Sequence, residues 1–179
     1  MFFYIVKLSL IILLGFFLLS CDHKARILSV NNKSSVYQSH TQPYVIYVDF
    51  SKPSTEKRFT VMQGTNTIYS TWVTHGSGSG TGEYATRFSN EPNSHASSLG
   101  RYKVLGIYRS YHHGLVFKLQ GLDYTNSNAY SREILIHSAL YIGDGKIGTS
   151  WGCFAVTPNA MYVLLKIIPK GTALVAFIH

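Results

Sequence analysis

Charge is what this sequence has least of: Lys, Arg, Asp and Glu make up 13% of its 179 residues, with 16 basic against 8 acidic side chains. A disordered or polyelectrolyte chain would carry more charge and fewer of the 13 tyrosines and 10 phenylalanines, so a packed core is within reach at this length. Five prolines and 15 glycines are too few for a collagen-like rod, and two cysteines too few for a disulfide scaffold. No internal repeat is visible, and the composition does not read as a coiled coil. What remains is one domain, or one domain with a short appendage.

Long apolar runs are also missing, apart from Leu10 to Leu19 behind the single charge of Lys7. Ten residues are too short to span a bilayer and fit the apolar region of a secretory signal. The alternative, a retained membrane helix, would have to bury Lys7. Leu18-Leu19-Ser20-Cys21 then resembles the bacterial lipobox, whose cysteine becomes lipidated and heads the mature chain. The resemblance implies a lipoprotein signal peptide at 1–20 and a lipid on Cys21. The protein would be exported and membrane-anchored, facing the periplasm. Asp22 resembles the residue that keeps some lipoproteins in the inner membrane, which leaves inner against outer membrane open. Residues 21–43 are polar and aperiodic, a tether spanning about 25 Å. The domain is expected at 44–179.

That domain reads as mainly β. Tyr44 to Phe50 alternates, Arg58 to Gln63 and Thr67 to Thr74 flank a hairpin turn at Gly64-Thr65-Asn66, and strands resume at 102–108, 115–119, 134–137 and 172–178. One helix is expected, with Thr157 as N-cap, Pro158 at its first position, and Met161, Leu164, Leu165 and Ile168 on one face before Pro169. The polar stretch from His75 to Gly100 is too long for an idle connection. Within it, His75-Gly76-Ser77-Gly78-Ser79-Gly80 lacks the Gly-Lys-Ser/Thr of a phosphate cradle and the third glycine of a dinucleotide fingerprint, so it reads as a flexible or groove-lining loop.

With Cys21 taken by lipid, Cys153 has no partner for a disulfide. A lone cysteine is commonly a small buried hydrophobe. Here it lies in the Gly-bearing turn Ser150-Trp151-Gly152-Cys153, after the loop Gly143 to Gly148, where backbone can approach a ligand. A thiol is only slightly ionised at neutral pH, so a nucleophilic cysteine needs a base. His137, closing the apolar run Ile134-Leu135-Ile136, is the candidate in sequence.

His137-Ser138 followed by Ser-Trp-Gly-Cys153 resembles the catalytic signature of the L,D-transpeptidases, the YkuD-type murein-modifying domain. Val48 to Ser54, Thr74-His75-Gly76, Ala85 to Asn90, Ser97 to Gly100 and Ser150 to Cys153 together resemble the murein L,D-transpeptidase catalytic domain family, from about Tyr44 to Ile178. The resemblance implies an L,D-transpeptidase-like β-sandwich with one packed helix near the C-terminus. It also implies that Cys153 attacks the tetrapeptide stem of peptidoglycan, that His137 handles the proton, and that the Ser138 carbonyl orients the imidazole. Backbone N–H groups near Gly152 and Cys153 would hold the oxyanion, with Ser150 and Trp151 shaping the groove. His75, Arg87, Ser89 and Asn90 are candidate substrate contacts, Arg being suited to carboxylates. An amine acceptor gives a cross-link; water gives a carboxypeptidase. The commoner pattern has histidine two places before the cysteine and arginine two places after, where this chain has Trp151 and Ala155; Trp151 reads equally as an aromatic packed under the loop.

A zinc hydrolase lacks H-E-x-x-H and H-x-H, and adjacent His112-His113 would lie on opposite faces of a strand. No metal or cofactor is therefore expected. A pI near 9.5 suggests nucleic acid, yet the longest basic run is Lys57-Arg58, and an anionic envelope accounts for the charge better. A non-catalytic murein-binding envelope lipoprotein is the remaining class.

Overall fold

The computed structural model describes residues 42–142 and 148–179. The signal segment, Cys21, Asp22, the tether up to residue 41 and loop positions 143–147 lie outside the described residues. The described chain runs β1 (Tyr44–Asp49), β2 (Phe59–Gln63), β3 (Asn66–Thr71), β4 (His75–Gly76), β5 (Gly100–Ser110), β6 (Gly114–Gly121), β7 (Leu135–Ser138), β8 (Thr149–Ser150), β9 (Phe154–Val156), α1 (Pro158–Ile167) and β10 (Ala173–Phe177). Eight strands form one curled sheet in the order β3-β2-β1-β10-β5-β6-β7-β9, and β4 pairs with β8 apart from it.

Alternation sets the faces. In β1, Ile46 and Val48 are buried while Tyr47 points outward, and in β5, Tyr102 and Val104 are buried between exposed Arg101 and Lys103. These join Phe59, Val61, Phe117, Leu119, Ile136, Phe154 and Leu174 in one core. The β2–β3 turn is tighter than the sequence suggests: Gln63 pairs with Asn66, so Gly64-Thr65 alone make the turn.

Helix α1 starts as expected. Thr157 Oγ1 accepts from the Ala160 N–H at 3.1 Å, Pro158 takes the first turn, and Ala160, Met161 and Leu164 face the core. The helix packs against β7, which positions the strand that carries His137.

Three short strands are not evident in the sequence. β9 is too brief to alternate, and all three of its residues are buried. It pairs in parallel with β7, bringing Ile136 opposite Phe154 and His137 opposite Ala155. Its outer edge is closed by Thr74, whose N–H donates to Ala155 O while Thr74 Oγ1 accepts from Ala155 N–H.

Candidate active site

The β7–β9 register builds the site. Cys153 directly precedes β9, and its sulfur lies against the start of β7, accepting from Leu135 N–H at 3.4 Å. Side chains two apart on a strand share a face, so Leu135 and His137 project to one side and Cys153 meets that side from the next strand. Cys153 and His137 accordingly line one cavity of about 620 Å³, with Ser150, Trp151, Arg132 and His113 among its walls.

His137 Nδ1 is 2.9 Å from the Ser138 carbonyl oxygen. A carbonyl only accepts, so Nδ1 carries the proton in the neutral ring and Nε2 keeps its lone pair. Burial pushes His137 below the ordinary histidine value; the Ser138 hydrogen bond opposes this and the nearby His113 ring adds to it. The imidazole is thus held neutral and basic at one known nitrogen.

The thiol is not activated at rest. Cys153 is half-buried, but its sulfur is desolvated, and burial pushes the pKa up to about 11 against the opposing Leu135 N–H and Arg132 charge. Sγ donates to the Glu133 carbonyl at 3.4 Å, and Glu133 reaches this position with a left-handed φ of 55°.

The Ser150–Cys153 turn is locked from within. Ser150 Oγ donates to the Cys153 carbonyl at 2.7 Å and accepts from Gly152 N–H at 3.1 Å. The Gly152 N–H expected at an oxyanion is therefore already engaged, and buried Ser150 is a brace for the turn. Gly152 itself has φ +107, and a Cβ there would lie 2.7 Å from Ala96 O. Only glycine fits that place. Trp151 is 73% exposed and stacks on His95, with ring centroids 4.7 Å apart and planes within 5°.

The expected substrate contacts are elsewhere. His75 is fully buried; Arg58 Nη2 lies 2.9 Å from its Nδ1, and its Nε2 lies 3.1 Å from Gly80 O, so it ties the fold and cannot meet a ligand. The segment 75–80 is likewise short strand and a 3-10 turn, held against 94–97, rather than a loose loop. Arg87 donates through Nε to Gly78 O, Ser89 Oγ caps Glu91 N–H, and Asn90 bridges to Tyr124, Ser127 and Asn128. None of the four lines the Cys153 cavity.

Sequence reasoning missed Arg132. Its guanidinium donates to Ser89 O, Ser98 Oγ, Ser94 Oγ and Ala96 O, with the nearest at 2.7 Å, and so fastens the 89–98 loop beside the cysteine. All four acceptors are more than thirty residues distant in the chain, and no local pattern signals them. His112 and His113 are not in a strand as expected: they occupy the turn between β5 and β6, and both line the cavity. Among the described residues, no group of three or more His, Cys, Asp or Glu is arranged to hold a metal.

A curled, mainly β sheet with a single helix near the C-terminus is the architecture of the L,D-transpeptidase fold. The chain belongs to the family of L,D-transpeptidase catalytic domains, whose model matches residues 21–177. It is similar to an Enterococcus faecium L,D-transpeptidase, solved as a cysteine-to-serine mutant, at 15% identity over 76% of this chain and 50% of that one, with a TM-score of 0.50. It is also similar to an L,D-transpeptidase from Mycobacterium smegmatis, at 11% identity over 75% and 58% of the two chains (TM-score 0.49). A third, from Stackebrandtia nassauensis, is 16% identical over 80% and 62% (TM-score 0.46). The chain thus spans about half to three-fifths of the length of these structures. No curated protein matches it.

Proposed function

We propose that the protein is a peptidoglycan-modifying cysteine acyltransferase that works through a Cys153 thioester. The observation that carries this reading is the shared cavity of Cys153 and His137, with the imidazole tethered at Nδ1 to Ser138 O. Substrate entry displaces the Cys153 S–H from Glu133 O, and His137 Nε2 takes its proton as sulfur attacks the stem carbonyl. The tetrahedral oxyanion collapses, the C–N bond to the terminal D-alanine breaks, and His137 returns the proton to the departing amine. An acceptor amine then attacks the thioester and releases the thiol. This is an L,D-transpeptidation; water in place of the amine gives the L,D-carboxypeptidase outcome. Neutral thiol and neutral imidazole at rest suit this order, because ionisation is deferred until water has been excluded.

The chain is further read as an exported lipoprotein anchored through Cys21 after removal of residues 1–20. Radiolabelled fatty acid incorporated by wild type and lost in Cys21→Ala checks the anchor.

The activity is tested on the full chain in detergent by intact mass after carbapenem treatment and by turnover of disaccharide tetrapeptide. A covalent adduct on wild type, absent in Cys153→Ala, with tetrapeptide consumed, is the expected result. No adduct and no turnover would leave a murein-binding lipoprotein without catalysis, and chelator-sensitive hydrolysis would point to a zinc hydrolase instead.

A further inference from the structure

The β5–β6 hairpin serves a purpose that the sheet does not require. Beyond a register shift between Val104 and Gly106, its outer half leaves Ile107, Tyr108 and Leu115 exposed while Val116 and Phe117 stay buried. Its tip, Tyr111-His112-His113, is closed by Gly114 at φ +68, the left-handed place such three-residue turns demand. That turn delivers the His113 ring onto His137, with centroids 4.0 Å apart and planes inclined by 28°.

We propose that His113 is a positioning residue for His137, its stacked ring fixing the plane in which Nδ1 reaches the Ser138 carbonyl and Nε2 remains the basic nitrogen. This rests on the reading of His137 as the base. One hydrogen bond holds an imidazole at a point but leaves it free to rotate about that point; a face-on neighbour removes the rotation. The groups facing His137 across the cavity are His112 and His113 from the hairpin turn, Arg132 and Glu133 from the segment before β7, Tyr141 from beyond β7, and Cys153. Of these residue types only histidine ordinarily changes charge between pH 5 and 8. Two stacked imidazoles resist double protonation, so the pair takes up its protons in separate steps. Burial, with the neighbouring His112 adding to it, holds His113 below the usual histidine value, which keeps it uncharged while His137 accepts the thiol proton.

The experiment is a ring-proton NMR titration of His137, assigned with His137→Gln, in full-length wild type, His113→Ala and His113→Phe, alongside the rate of carbapenem acylation of Cys153 against pH. In His113→Ala the His137 midpoint rises and acylation at neutral pH falls by about tenfold, the scale of a lost orientation. His113→Phe keeps a flat ring on His137, so it restores the acylation rate while collapsing the two-step titration to one. An unmoved His137 midpoint in both variants overturns the proposal, as does acylation that depends on His137 yet is unchanged in His113→Ala. A midpoint that shifts as described, with acylation indifferent to His137→Gln, supports the stack and overturns the base assignment instead.

Discussion

Cys153 Sγ lies 3.4 Å from the Glu133 carbonyl oxygen and 3.4 Å from Leu135 N, one contact that holds the proton and one that welcomes its loss. Burial decides between them and places the thiol at about 11. Alkylation of Cys153 in the free protein is therefore expected to keep climbing above pH 9. A plateau near neutrality would show a thiolate already paired with His137 and contradict the deferred-ionisation mechanism.

The low-pH limb of stability depends on His75. Arg58 Nη2 donates to its Nδ1, so Nε2–H donates to Gly80 O and the ring is neutral. Burial first, then the Arg58 charge, lowers its native pKa below the ordinary 6.5; His137 is lowered as well. The unfolded state binds more protons below about pH 6.5, so stability is complete above that value and falls as pH drops through it, by up to about 1.4 kcal/mol per unit for each such group. Urea midpoints at pH 7.5 and 5 measure the slope. His75→Phe should flatten it, and an unchanged slope would remove His75 from the account.

How much of this was legible in the sequence follows the range of each interaction. Strands β1, β5, β6 and β10 and helix α1 are visible because alternation and capping are local, as with Ile46 and Val48 or Thr157 and Pro158. Cys153 and His137 line one cavity, and the His137–Ser138 carbonyl contact lies between neighbours in the chain, so that contact is local. The thiol's raised pKa was not legible, because it comes from burial created by a β7–β9 pairing too short to leave a pattern. His75 reads in sequence as a ligand contact because its tie to Arg58 spans 17 residues and leaves no local pattern. Arg132 and His113 act across loops, and no residue near them announces what they touch.

Gly78 is where the 75–80 segment and the active-site loop meet. A methyl there would collide with the Ser94 carbonyl oxygen and lie 2.7 Å from Ala96 N, both backbone atoms that cannot swing aside. Ser94 and Ala96 supply two of the acceptors that hold Arg132. Gly78→Ala should cost about 1–3 kcal/mol by overpacking and weaken tetrapeptide turnover as well. Gly82, with nothing within 4 Å, is the control, and Gly82→Ala should change little. Equal urea midpoints for the two variants would refute the close-approach argument.

Trp151 separates binding from folding. It is mostly exposed, and its contact with His95 places it between the Cys153 cavity and a second one of about 390 Å³, with Arg132 and Glu133 also shared. An exposed ring carries little of the core, so Trp151→Ala should leave stability within about 0.5 kcal/mol. Loss of a substrate-facing aromatic contact of about 1.4 kcal/mol would raise KM for the tetrapeptide on the order of tenfold with kcat retained. Trp151→Phe preserves a flat face on His95 and should recover most of that loss. A fall in melting temperature of several degrees with KM unmoved would instead make Trp151 a brace for the cysteine turn.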